Sequence, residues 1–537
     1  MTAPTVRPSA AQQPVAPEPP THREILQVLS GLLVAMFVSN VAGTVVGNAL
    51  PVITAKLGST QHQYTWIVTS TLLASTASTP IWGKLSDLYD KKKLLLIGIS
   101  VFVVGSIASG AAMDTFQLIG FRAIQGVGLG AMMSLTQAII GSVIPPLQRG
   151  RYMAYTGATI AVATVVGPLV GGFIVDQPWL GWRWCFWSAA PFALLAMGVL
   201  AWKLKVPRYR TGAAHVDWLG ATLITLAVSD LLIWISFADD AFAYASWQTA
   251  AMLGSTLVLA GLFVLVESKV ADPIIPLPIL RDRNTALAIA ASIAVGIGMF
   301  GASVFLGQYY QVARGYSPTA AGLMMVPMMF GVMLSSIFIG RWVSRVGLWK
   351  PFVLVGAIIL AAGFGTMATI TFTTPLWAIA VYGAVAGVGL GMTMQNLVLA
   401  VQNTVSVQDV GTASAAVTFF RSLGGTIGIQ VLGVVFASRV HHMAARRLAA
   451  LKIPGAAENA GGGGQSLDLS GLPTPVAQAI RGAYGDSIGL LFLIAAGVAL
   501  LGVVAVVFMK STRLRAQFAL GPAAPAAPAA PAAKDPA

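Results

Sequence analysis

The sequence predicts an all-α polytopic membrane protein with fourteen membrane-spanning helices arranged as six, two and six. Three observations predict it: the composition, the apolar windows and a loop that occurs twice. Of 537 residues, 56% are hydrophobic and 9% charged, with a mean hydropathy of +0.79, against about 25% charged in a soluble domain. A spanning helix needs about 20 mostly apolar residues. Such windows begin near residues 27, 65, 93, 116, 151, 184, 216, 247, 285, 318, 350, 375, 408 and 486. The loop after the second window reads 83-GKLSDLYDKKK-93 and the loop after the tenth reads 340-GRWVSRVGLWK-350. Each starts with Gly and a base and ends on a base, a weak internal repeat of the kind found in chains built from two related halves.

In chain order, residues 1–22, rich in Pro, Ala, Thr and Gln, predict a disordered tail without a cleaved signal peptide. Residues 23–206 hold the first six spans. Residues 207–270 hold a pair that matches neither half and is read as inserted. Residues 271–510 hold the second six, with a long loop at about 440–485 that contains 461-GGGG-464. Residues 511–537 end the chain in a Pro/Ala-rich, extended tail.

The net charge of +14 is explained by its placement. With the N-terminus inside, Lys84, Lys91, Lys92, Lys93, Arg149, Arg151, Lys203, Lys205, Arg341, Arg345 and Lys350 all fall on inner segments, while the short outer loops hold Lys56, Arg183 and Arg314. This bias puts both termini in the cytoplasm and makes the charge a topology signal, with the bilayer rather than nucleic acid as partner. The lone cysteine, Cys185, excludes an intrachain disulfide. No GxxxxGK[ST] phosphate loop occurs, and the five histidines show no metal-ligand spacing, so no enzyme, cofactor or metal site is expected.

Charges inside spans stand out against this background. Arg122, in 119-IGFRAIQGVGLGAMM-133, and Asp230, in 225-TLAVSDLLIWIS-236, sit where a charge is expensive and is a functional candidate by default. The plainer alternatives are that Arg122 snorkels to water and that Asp230 hydrogen-bonds a neighbouring helix. In span 5, 163-ATVVGPLVGG-172 places Pro168 where it lacks an N–H and crowds Thr164, predicting a bend. Gly157, Gly167, Gly171 and Gly172 offer a smooth strip for close helix packing.

Together, GKLSDLYDKKK, the R-x-x-Q-G of span 4 and the G-P-x-x-G-G of span 5 resemble three motifs of the major facilitator superfamily, the last typical of its drug:proton antiporters. With 65-TWIVTSTLL-73, 182-WRWCFW-187, 272-DPIIPLPIL-280 and 411-GTASAAVTFFRSLGGTIG-428, the chain is similar to the 14-helix branch over about residues 25–510. The resemblance implies two six-helix bundles and alternating access. It also implies a gate built from Gly83, Asp87, Lys91, Lys92 and Lys93, proton coupling through Arg122, and bending at the GP motif. Two departures stand out. Asp90 replaces the usual glycine of the loop, and 38-VSNVAGTVVGNALP-51 lacks the acid that many relatives carry there, leaving Asn40, Thr44 and Asn48. That leaves Asp230 as the acid well inside a span.

Cavity candidates are Asn40, Phe305, Gln308, Tyr309, Gln311, Met394, Gln395 and Gln402, since Met and aromatic rings adapt to varied ligands and a few amides bind them without selecting one. The expectation is a monomeric, proton-coupled exporter of small amphipathic drugs or antibiotics in a bacterial plasma membrane. The rivals are an exporter of a lipid, siderophore or other secondary metabolite and, in another class, a non-transporting membrane sensor.

Overall fold

A chain this apolar, out of reach of water, must close its backbone hydrogen bonds within helices. The computed structural model describes residues 22–516 apart from 59–60, 178, 205, 207–215, 239–241, 271, 276 and 451–472. Among the described residues fourteen long helices occur: α1 His22–Leu57, α2 Gln61–Leu88, α3 Lys91–Ala111, α4 Thr115–Val143, α5 Pro146–Asp176, α6 Ala189–Lys203, α7 Trp218–Phe237, α8 Trp247–Glu267, α9 Arg283–Gln308, α10 Val326–Val346, α11 Lys350–Met367, α12 Leu376–Thr404, α13 Val410–Ala450 and α14 Thr474–Phe508. A single turn, Trp184–Trp187, leads into α6, a π-helical turn, Tyr309–Ala313, ends α9, and a short helix, Pro318–Met324, precedes α10.

Side-chain oxygens start many of these helices: Asp90, Asp114, Asp217, Ser246 and Asp282 each accept a backbone N–H of the first turn of α3, α4, α7, α8 and α9. Among the described residues thirteen spans are long and apolar enough to cross a membrane, α6 together with its leading turn and every other long helix except α2. Its 69-TSTLLASTAST-79 is rich in hydroxyls, and α2 lies among other helices, where they find partners such as Thr71 Oγ1 on the Arg122 carbonyl.

Packing repeats between the halves. In the first, α1 packs on α5, α2 on α4, and α3 on α4 and α6; in the second, α9 packs on α13, α10 on α12, and α11 on α12 and α14. The halves meet through α2 against α13 and α5 against α10, the same two positions exchanged. The inserted α7 and α8 pack on each other, and α7 rests on α2 and α13 at the seam.

Both ends of the loop expected at about 440–485 are helix. Helix α13 continues to Ala450 and α14 starts at Thr474, because 438-SRVHHMAARRLAA-450 is rich in Ala, Arg and Leu, which favour helix. Arg447 of this extension pairs with Asp486 of α14. The GGGG run lies outside the described residues.

Candidate functional site

The α2–α3, α4–α5, α10–α11 and α12–α13 connections share one end of the bundle, here called the basic end for its Lys and Arg. There the two halves interlock. Asp87, near the C-terminus of α2, is 8% exposed and reaches the N-terminus of α13. Its carboxylate accepts the N–H of Gly411 at 2.9 Å, the N–H of Thr412 at 2.7 Å and the Thr412 hydroxyl at 2.7 Å. A helix N-terminus offers unpaired N–H groups and positive potential, so a carboxylate fits it. One turn back on α2, Gly83 lies so close to α13 that a Cβ there would overlap Ala415.

The other seam has the same construction. Ser344, near the C-terminus of α10, accepts the N–H of Arg151 at the start of α5 at 2.9 Å. One turn back, Gly340 lies so close to α5 that a Cβ there would overlap the Gly150 carbonyl, and a Cβ on Gly150 would come within 2.7 Å of the Gly340 carbonyl. Between the seams Arg149, 1% exposed, donates to the Ile144 carbonyl at 2.7 Å, to the Gly141 carbonyl and to the Gln402 carbonyl at 3.3 Å. Gln402 in turn donates to Ser414 at 2.7 Å. These contacts tie α4, α5, α12 and α13 into one closed floor.

The three lysines of the first loop separate. Lys91 Nζ is 3.8 Å from Asp87 and donates to the Ser86 carbonyl at 2.6 Å, whereas Lys92 caps the C-terminal end of α6 through the Ala201 carbonyl at 2.6 Å. Lys93 meets Asp90 by its backbone N–H. Asp90 takes φ −65°, an ordinary cap conformation, so glycine is not needed there.

The inserted pair joins this end through acids. Glu267, at the end of α8, accepts the N–H groups of Ile274 and Ile275 at 3.0 and 3.3 Å, and Asp272 of the same linker pairs with Lys84 of α2 at 3.8 Å. Asp230 lies elsewhere: its carboxylate accepts the hydroxyls of Ser255 and Thr256, both on α8. That is the hydrogen-bonding alternative for this residue, a tie inside the inserted pair.

Further from the basic end, Gln137 of α4 donates to Gln395 of α12 at 3.2 Å, joining the halves across the middle. The Gln137 Oε1 and Gln395 Nε2 atoms are buried with no partner. Asn40 of α1 donates to the Met36 carbonyl at 2.8 Å and approaches the Met133 sulfur of α4 at 3.9 Å. Met394 is buried beside Gln395. The other cavity candidates lie apart. Phe305 packs in a tilted pair with Phe436, Tyr309 donates to the Thr371 carbonyl and accepts from Arg314, Gln308 is half-buried, Gln311 is exposed, and Gln402 belongs to the floor.

Arg122 does not join the α1 amides. It is 3% exposed and donates to Gln125 at 2.6 Å and to the Ile67 carbonyl at 3.4 Å, while Gln125 donates to Ser106, so the guanidinium knits α2, α3 and α4. The glycines of α5 divide between two faces. Gly167 and Gly171 press on Thr44 and Val45 of α1, whereas Gly157 faces Ser336 of α10 and Gly172 faces Thr319. The α5 helix runs unbroken through position 168, and the Pro168 side chain lies outside the described residues, as does that of Asn48.

Sequence reasoning missed Arg149, Gly150, Gly340 and Ser344 as parts of the interlock. The signal was present in the repeat: aligning the two loops on their first glycine sets Gly340 against Gly83 and Ser344 against Asp87.

A family profile described as Major Facilitator Superfamily matches residues 32–429. The multidrug transporter protein MdtP of Bacillus subtilis (strain 168) is 35% identical over 412 residues, covering 77% of this chain and 75% of that protein. The efflux pump dotC of Dothistroma septosporum is 30% identical over 493 residues, covering 90% of this chain and 83% of that one. Among solved structures, the proton:xylose symporter XylE bound to 6-bromo-6-deoxy-D-glucose aligns with a TM-score of 0.60 at 14% identity, over 91% of this chain and 97% of that one, a likeness of fold. With two interlocked six-helix halves and this profile over most of its length, the chain belongs to the major facilitator superfamily and is a multi-pass membrane transporter, not an enzyme.

Proposed function

We propose that this transporter is a proton-driven exporter of small amphipathic drugs or antibiotics across a bacterial plasma membrane, acting as a monomer with its basic end and both termini in the cytoplasm. The observation that carries the reading is the Asp87 latch, a carboxylate of one half seated on a helix start of the other. Such a contact is made in one state of an alternating-access cycle and broken in the other. Relatives named multidrug transporter and efflux pump support the direction and the substrate class. Proton coupling needs an acid whose surroundings change between states. Asp87 bridges the halves, while both partners of Asp230 lie on the adjoining helix, so coupling is assigned to the latch.

The test is ethidium-driven proton movement in inverted vesicles for wild type, Asp87→Asn and Asp230→Asn. Export with proton movement in wild type and Asp230→Asn, and loss of both in Asp87→Asn, is the expected result. Ethidium export without proton movement in wild type would remove the antiport reading, and absence of export would remove the drug reading.

A further inference from the structure

Helix α13 carries a second intramembrane arginine. Arg421 lies eleven residues past Val410, about 16 Å along the helix at 1.5 Å per residue and so near the middle of a bilayer core of about 30 Å. It is 5% exposed, and its Nε and Nη2 atoms are buried without a hydrogen-bond partner. The contrast is with Arg122, whose Nε and Nη1 are both occupied by oxygens.

No counter-charge is at hand. Six helices pack against α13, namely α2, α4, α7, α9, α12 and α14. Helices α4, α9 and α12 contain no acidic residue, and the chain has none between Asp282 and Asp409. The acids on the other three are engaged: Asp87 on Gly411 and Thr412, Asp230 on Ser255 and Thr256, Asp486 on Arg447 and the Phe372 N–H. The α9 face pressed against the glycines after Arg421 is apolar, with Ile293 at Gly424, Phe300 at Gly425 and Ile297 at Gly428. A buried guanidinium with free donors, no counter-ion among the described residues and an apolar, aromatic wall beside it matches one chemistry, an acid group on an aromatic or aliphatic body.

We propose that Arg421 is an anion-binding site within the membrane that takes the carboxylate of an amphipathic monoacid. The inference rests on the transport reading for its physiological meaning and on binding alone for its test. A hydrogen bond to a charged group contributes enough to favour the acid over an uncharged analogue by about tenfold or more.

Binding of 1-pyrenebutyrate and of its methyl ester is measured by fluorescence on the full chain in phosphatidylcholine nanodiscs, which offer no net anionic headgroup. Wild type is expected to prefer the acid by about tenfold or more. Arg421→Gln is expected to bind acid and ester alike, and Arg421→Lys to keep most of the preference. Pyrenebutyrate is expected to raise the unfolding temperature of wild type and leave that of Arg421→Gln unchanged. Equal affinity of wild type for acid and ester, no binding of the acid, or an acid preference that persists in Arg421→Gln would overturn the site. If Arg421→Gln does not fold, the acid-to-ester ratio of wild type and the Lys variant decides. A preserved preference in a protein that exports nothing from vesicles would remove the export reading and leave this site standing.

Discussion

The loops 83–93 and 340–350 occupy equivalent places in the two halves, and each interlocks with a helix start of the opposite half. The backbone part is the same in both: a glycine one turn from the end of α2 or α10 lets the facing helix approach to contact. The polar part differs. Asp87 accepts three hydrogen bonds from the start of α13, whereas Ser344 accepts one N–H from the start of α5. The steric interlock is duplicated and the charged contact is single, so the polar part of the joint at this end is concentrated in one carboxylate. The loops also turn by different means, Asp90 as an N-cap at φ −65° and Gly347 in the left-handed region at φ 72°.

Replacing Asp87 with Ala should break the comparison most strongly. It strands buried donors of α13 and removes bonds to a charged group, about 3 kcal/mol or more, which corresponds to about a hundredfold shift toward the open basic end. Spin labels at the exposed Tyr89 and Gln408, in a Cys185→Ser background, would read the separation of the halves, and an unchanged distance distribution would refute the latch. Next in size is Gly340→Val. Its added carbons meet the Gly150 carbonyl, which cannot rotate away, so this variant should lose transport while remaining folded in detergent. Gly83→Val meets the Cβ of Ala415, which is equally fixed to its backbone, and should be as severe. Unequal loss in the two would show that the seams differ in compliance.

Ser344→Ala should cost about 1 kcal/mol, a single neutral hydrogen bond, and shift the open-to-closed ratio about fivefold in the same labelled background. The smallest contrast is in the turns. Asp90→Gly should lower stability by a few tenths of a kcal/mol, because glycine is itself an acceptable cap. Gly347→Ala should lower it by about 1–2 kcal/mol, because a Cβ is strained at positive φ. Thermal unfolding of the purified variants would rank them.

The fourteen spans were legible because apolar length is a local property, and Gly83 and Asp87 were legible because their neighbours form a dense motif. Arg149 was not, since a base at a loop between spans looks the same whether it sets topology or seals a floor, and its partner Gln402 is 253 residues away. Residue type also failed to say how deep along a helix face a side chain acts. Gln395 and Gln402, two turns apart on one face of α12, both meet the opposite half, Gln395 further from the basic end and Gln402 in the floor. Phe305 and Tyr309 have the character of ligand contacts and are committed to neighbouring aromatic rings and loop carbonyls. The extent of α13 escaped notice because its C-terminal end is polar and helical, a pattern that hydropathy windows pass over.

Gly83, Gly150, Gly340 and Gly411 bring the halves together at the basic end on glycine positions, where no rotamer has to be frozen. A long side chain immobilised in such a joint would lose up to about 2 kcal/mol of conformational entropy each time it closed. The glycines lose none from their own side chains, so the side-chain entropy lost on closing is confined to the few polar residues there, such as Asp87 and Arg149. The free energy of closing therefore carries no side-chain entropy penalty from these four positions that would grow on heating, a useful property for a machine that must cycle as its membrane warms and cools.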